Sequence, residues 1–115
     1  TGMTDLNLAA LEAYLAEHYG DWGQEQGLFM KLVEEMGEIA ELLNIRAGRK
    51  QGKGQDTDQE LVTELADLIH YAVAIAAING LDLSKAIIEK DIQAAIKYQH
   101  ERNLADFLAE WKQRP

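Results

Sequence analysis

The chain has 115 residues, 47% hydrophobic and 27% charged, which suits one globular domain (1–115) with a modest core and excludes a disordered chain. A net charge of −9 disfavours a nucleic-acid partner or an anionic membrane surface. The absence of cysteine rules out disulfides, thiolate metal sites and a cysteine nucleophile, and fits a reducing, cytoplasmic setting.

Thr4 or Asp5 is placed to cap a first helix that carries Leu8, Leu11 and Leu15 on one face and stops at Gly20. No signal-peptide pattern precedes it, and Thr1 and Gly2 before Met3 look like a cloning scar. In the loop Gly20-Asp21-Trp22-Gly23 the aromatic ring is either a core plug or a surface for a planar ligand.

The second helix is predicted from Gly27 to Asn44. On a 100° wheel Phe29, Leu32, Val33, Met36, Ile39, Ala40 and Leu43 form an apolar stripe, with Glu35 and Glu38 just beside it. Gly37 marks either a close crossing or a tolerated cost of about 1 kcal/mol. Residues 46–56 follow as a predicted mobile loop that holds three glycines and four of the eleven basic residues, a solvated linker or a flap for phosphates.

Thr57-Asp58-Gln59-Glu60 reads as a capping box that opens the third helix. There Leu61, Val62, Leu65, Leu68, Ile69 and Ala72 make the stripe, and Glu64 and Asp67 repeat the i, i+3 placement of Glu35 and Glu38. Tyr71 to Ile78 is apolar nearly all round, which predicts a subunit interface; it is too short to span a bilayer. His70 reads as structural or solvent-exposed.

Asn79-Gly80 ends this helix, and Asp82 or Ser84 caps a fourth from Leu83 to Glu101, with Ile88, Ile92, Ala95 and Ile96 for the core. Lys90, Lys97 and Tyr98 on it face phosphate or solvent. Asn103 caps a short fifth helix with Leu104, Phe107, Leu108 and Trp111 on one side. With no alternating strand pattern, the chain reads as all-α, a four-helix bundle with a short extra C-terminal helix.

Two carboxylate pairs in the same phase, on helices that pack through their stripes, bring four acidic groups to one edge of the seam. Like charges held so close call for compensation, and a hard divalent cation with oxygen ligands supplies it. Two solvated acidic faces are the alternative.

In order, Glu34-Glu35-Met-Gly-Glu38 and Glu64-Leu-Ala-Asp67 resemble the E-E-x-x-E … E-x-x-D signature of the MazG-like, all-α nucleoside triphosphate pyrophosphohydrolases. The likeness continues through D-L-I-H-Y and N-G-L-D-L-S-K-A to Tyr98, covering about Gly27 to Tyr98. It implies Mg²⁺, with Mn²⁺ a possible substitute, held by Glu35, Glu38, Glu64 and Asp67, and release of pyrophosphate from a surplus or non-canonical (d)NTP as a house-cleaning reaction.

With the resemblance, Glu34 becomes a candidate general base, and Lys31, Lys90, Lys97, Arg49, Lys50 and Lys53 become candidates for phosphate contacts. Trp22, Phe29 or Tyr98 would meet the base. Ala94 stands where many MazG sequences have an asparagine four residues after the lysine matched by Lys90, a departure near the phosphates. A dUTPase-like, dCTPase-like or phosphoribosyl-ATP activity and a non-catalytic binding module are the alternatives. The expected assembly is a homodimer or a dimer of dimers.

Overall fold

The computed structural model describes residues 5–20 and 23–115, so Thr1, Gly2, Thr4 and Trp22, with the expectations attached to them, lie outside the described residues. Five helices follow one another: α1 (Leu8–Tyr19), α2 (Glu25–Arg46), α3 (Thr57–Ile78), α4 (Leu83–Lys97) and α5 (Leu104–Lys112). No strand occurs among the described residues, in agreement with the all-α reading.

Side-chain caps fix the starts of α1, α3, α4 and α5, some a residue or two from where the sequence pointed. Asn7, not Asp5, caps α1: its extended backbone lets Oδ1 accept from Ala10 N at 2.7 Å. Asp56 caps α3 by accepting from Gln59 N at 3.1 Å, so Thr57 is already helical, and this single N-cap bond stands in place of the expected Thr57–Glu60 capping box. Asp82 caps α4 in the same way, with Lys85 N at 3.0 Å. Asn103 and Asp106 form a complete capping box on α5.

Helix α4 stops at Lys97, short of Glu101. His100 N reaches back to Ala95 O and Gln99 N to Ile96 O, which closes the last turn with Gln99 at φ 58°. Asp91 then accepts from Leu104 N at 2.5 Å and ties the start of α5 to α4.

At the centre of the fold, α2 and α3 form an antiparallel hairpin, locked at one end by Asn79 Nδ2 donating to Glu25 Oε2 at 2.9 Å. Its seam corrects the predicted stripes by one residue. The inward positions of the seam are Leu28, Leu32, Glu35, Ile39 and Leu42 on α2, and the half-buried Leu61, Glu64, Leu68, Tyr71 and Ile75 on α3, spaced alternately by three and four. Phe29, Val33, Met36 and Leu43, with Val62, Leu65 and Ile69, each follow a seam residue and are exposed.

In an antiparallel pair, residues that follow seam positions on both helices fall on one flank, and residues that precede them fall on the other. The hairpin thus has an apolar flank and an acidic one. The acidic flank carries Glu34, Glu38 and Glu41 of α2 and Glu60 and Asp67 of α3.

Helix α1 packs on α3, burying Leu15 with Leu28, Val73 and Ala74 in the main core. Part of the cover that the apolar run Tyr71–Ile78 calls for therefore comes from within the chain. Helix α4 contacts α1, where Glu12 Oε1 accepts from Leu83 N at 3.1 Å, and α5 rests on α4. On α4 Ala95 is buried and Ile88 and Ile92 are half-buried, but Ile96, expected in the core, is 74% exposed. By length and composition α3 is apolar enough to cross a membrane, yet Glu64 and Asp67 lie in its middle and α1 and α2 pack along it. Gly37 has nothing within 4 Å of a built Cβ, so no close crossing accounts for it.

Candidate active site

Where the seam of the hairpin is polar, Glu35 and Glu64 face each other. Glu35 Oε2 and Glu64 Oε2 are both buried, and among the described residues neither has a hydrogen-bond partner outside the carboxylates themselves. Asp67 joins them from the next turn of α3, and one carboxylate oxygen from each of the three lies within 4.8 Å of the others.

Hydrogen bonding to the carboxyl of Glu35 first, then to that of Glu38, with burial adding, pushes Glu64 up to about 8. Without a cation, the four carboxylates can crowd together only by retaining a proton. A set of hard oxygen donors with two orphaned buried oxygens fits Mg²⁺ or Mn²⁺ and fits neither a soft metal nor a thiolate-type site.

A cavity of about 480 Å³ opens beside this set on the acidic flank, walled by Glu38, Glu41, Glu60 and Glu64 and by the loop residues Lys50, Gly52 and Lys53. The loop therefore brings two of the candidate cations, Lys50 and Lys53, to the carboxylates. Arg49 is exposed and does not line the cavity. Lys31 is 3.6 Å from Glu34, and both are exposed, so Glu34 stands outside the central cluster.

Lys90, Lys97 and Tyr98 lie on α4 and its cap, which pack towards α1 and α5. Lys97 sits over the Tyr98 ring at 5.3 Å, and none of the three lines the cavity. Phe29 is on the opposite, apolar flank.

Two wall residues escaped the sequence reading. Glu41 continues the three-residue spacing of Glu35 and Glu38, and Glu60 precedes Glu64 by one turn; that periodicity was the available signal. His70 has a structural role, as expected: its Nε2 meets the Tyr19 hydroxyl at 2.7 Å, which links α1 to α3 one turn beyond Asp67. Burial, then the neighbouring Tyr71, raises the Tyr19 pKa.

The sequence matches the MazG nucleotide pyrophosphohydrolase domain over residues 24–108, which contain the whole carboxylate set and the loop. The chain belongs to the MazG family. As a MazG domain it is a nucleotide pyrophosphohydrolase by class. The crystal structure of iMazG from Vibrio DAT 722 has the same fold, with a TM-score of 0.60 and 30% identity over 84% of this chain and 100% of that one.

Among proteins of similar sequence, the uncharacterized protein YpjD of Bacillus subtilis strain 168 is 29% identical over 76 residues, 66% of this MazG chain and 67% of YpjD. The dCTP pyrophosphatase 1 of Rattus norvegicus is 37% identical over 76 residues, 61% of this chain. That match spans 45% of the rat protein, less than half its length.

Proposed function

We propose that this MazG domain hydrolyses surplus or non-canonical deoxynucleoside triphosphates to the monophosphate and pyrophosphate in a Mg²⁺-dependent, house-cleaning reaction. The observation that carries this reading is the convergence of Glu35, Glu64 and Asp67 within 4.8 Å, with Glu38 against Glu64. Glu35, Glu38, Glu64 and Asp67 would hold the cation. Bound there, Mg²⁺ supplies Lewis acidity, neutralising phosphate charge and making a bound water more acidic.

The chain's own groups do the rest. Lys50 and Lys53, at the cavity wall, offset phosphate charge that a protein of net charge −9 would otherwise repel. Glu34, next to Glu35 in the chain and 3.6 Å from Lys31, is the candidate acceptor of the water proton; an unaltered rate in Glu34→Gln would remove it from that role. Arg49, Lys90, Lys97, Tyr98 and Trp22 remain candidates for contacts made once substrate or a second subunit is present. We take the working assembly to be a homodimer or dimer of dimers.

A pyrimidine deoxynucleotide is favoured by the resemblance to dCTP pyrophosphatase 1, so dCTP heads the panel to be tested. The test is pyrophosphate release from canonical and modified (d)NTPs, with Mg²⁺ and with EDTA. Glu38→Gln and Asp67→Asn should each lower the rate at least about 100-fold, the scale on which losing one preorganised charge-stabilising group acts. Turnover that survives EDTA or either substitution contradicts the reading.

A further inference from the structure

The segment 47–56 folds back on the end of α2, where Arg49 N and Lys50 N both donate to Asn44 O, at 2.9 and 3.3 Å. At the base of the loop Arg46 meets Asp58 at 3.1 Å. Gly48 and Gly54 take φ of +77° and +76°, and Gln55 Oε1 accepts from Lys53 N at 2.7 Å. At Gly52 an added Cβ would lie 2.9 Å from Ile45 Cγ2, so the loop sits flush on the last turns of α2.

A charged contact joins this loop to the cavity wall: Lys50 Nζ on Glu41 Oε1. The hydrogen bond and charge of Lys50, with Lys53 adding, hold the Glu41 carboxyl below its usual range. Both partners are half in water, where such a pair adds little to stability. Glu41 is also outside the cluster of Glu35, Glu64 and Asp67, and by itself it would add repulsion beside a polyphosphate. A weak pair at the edge of the cavity is suited to exchange: arriving phosphate oxygens can replace the carboxylate on Lys50 with no charge left bare in a dry interior.

We propose that Glu41 is a positioning residue, which parks Lys50 at the cavity wall and so keeps the 47–56 segment in place as a cationic flap for the phosphates of the substrate. The role rests on the pyrophosphohydrolase reading of the carboxylates. It assigns Glu41 no contact with the metal or the reacting atoms. Its effect passes through Lys50.

The experiment is steady-state kinetics of pyrophosphate release, with dCTP or the best nucleotide of the panel, for wild type, Glu41→Gln, Lys50→Ala and the double variant. Trypsin digestion without nucleotide runs alongside, because Arg49, Lys50 and Lys53 place cleavable bonds in the flap. Glu41→Gln should raise KM about two- to fivefold, the range of a half-exposed ion pair, with kcat within about twofold. In the Lys50→Ala background the same change should add nothing further. Cleavage within 49–53 should be faster in Glu41→Gln than in wild type.

An equal KM increase with and without Lys50 would overturn the proposal, since Glu41 would then act directly. Unaltered KM and unaltered cleavage would overturn it as well, leaving the pair an idle surface contact. If wild type releases no pyrophosphate from any nucleotide, the underlying reading fails and the positioning role fails with it. Wild-type turnover with an unchanged KM in Glu41→Gln defeats the positioning role alone.

Discussion

Glu64 is the residue on which the site's charge balance turns. Its pKa in the folded chain, about 8, lies above the ordinary carboxylate value because the carboxyls of Glu35 and Glu38 and burial all favour the protonated form. The folded state therefore keeps a proton that the unfolded chain gives up near pH 4.5, and stability is lost as pH rises from there through about 8. Metal-free protein should melt at a lower temperature at pH 8.5 than at pH 5.5. Saturating Mg²⁺ should reverse that trend, since cation binding displaces the proton and stabilises only the folded set. Glu64→Gln should remove both the fall with pH and the response to Mg²⁺. Thermal melts of the two proteins in EDTA and in Mg²⁺ at the two pH values check this; a wild-type melting temperature that rises between pH 5.5 and 8.5 in EDTA would refute the charge assignment.

Among the elements, helix existence and the carboxylate pairs were legible in the sequence, because caps, glycines and i, i+3 spacing are local. The phase of the hairpin was not. Helix α2 carries two apolar stripes side by side, Leu28, Leu32, Ile39 and Leu42, and Phe29, Val33, Met36 and Leu43, and a wheel does not say which of them meets α3. A one-residue rotation moves Glu35 from the edge of the stripe into the seam, where it meets Glu64. The contributions of α4 were illegible for a related reason: nothing local tells Lys90 or Lys97 which body α4 will rest on. The end of α4 was misread because Gln99, a residue that rarely adopts positive φ, takes the place that glycine usually marks. That strain is removable. Gln99→Gly should relieve about 1 kcal/mol of left-handed backbone cost, partly offset by the greater freedom of glycine when unfolded, and raise the melting temperature by a few degrees. A lower melting temperature would show that the Gln99 side chain contributes more than its backbone costs.

At the scale of the whole molecule, a single chain leaves its packing unfinished. Its radius of gyration is 17.4 Å, against about 13 Å for a compact domain of this length. Phe29, Val33, Met36, Leu43, Val62, Leu65 and Ile69 share one flank of the hairpin and are 40–56% exposed. An apolar flank of that extent, opposite the acidic one, is suited to a second copy, two hairpins closing face to face about a two-fold axis. Light scattering should accordingly give a dimer or a larger even assembly, with a melting temperature that rises with protein concentration. Met36→Glu places a charge at the middle of that flank without touching the seam, and should shift the protein to monomer. A wild-type monomer at micromolar concentration, with a melting temperature independent of concentration, would refute the assignment. Because Glu35, Glu38, Glu64 and Asp67 all come from one hairpin, the dissociated variant should keep its Mg²⁺-induced rise in melting temperature. If it does so while losing turnover, metal binding belongs to each chain and substrate binding to the pair.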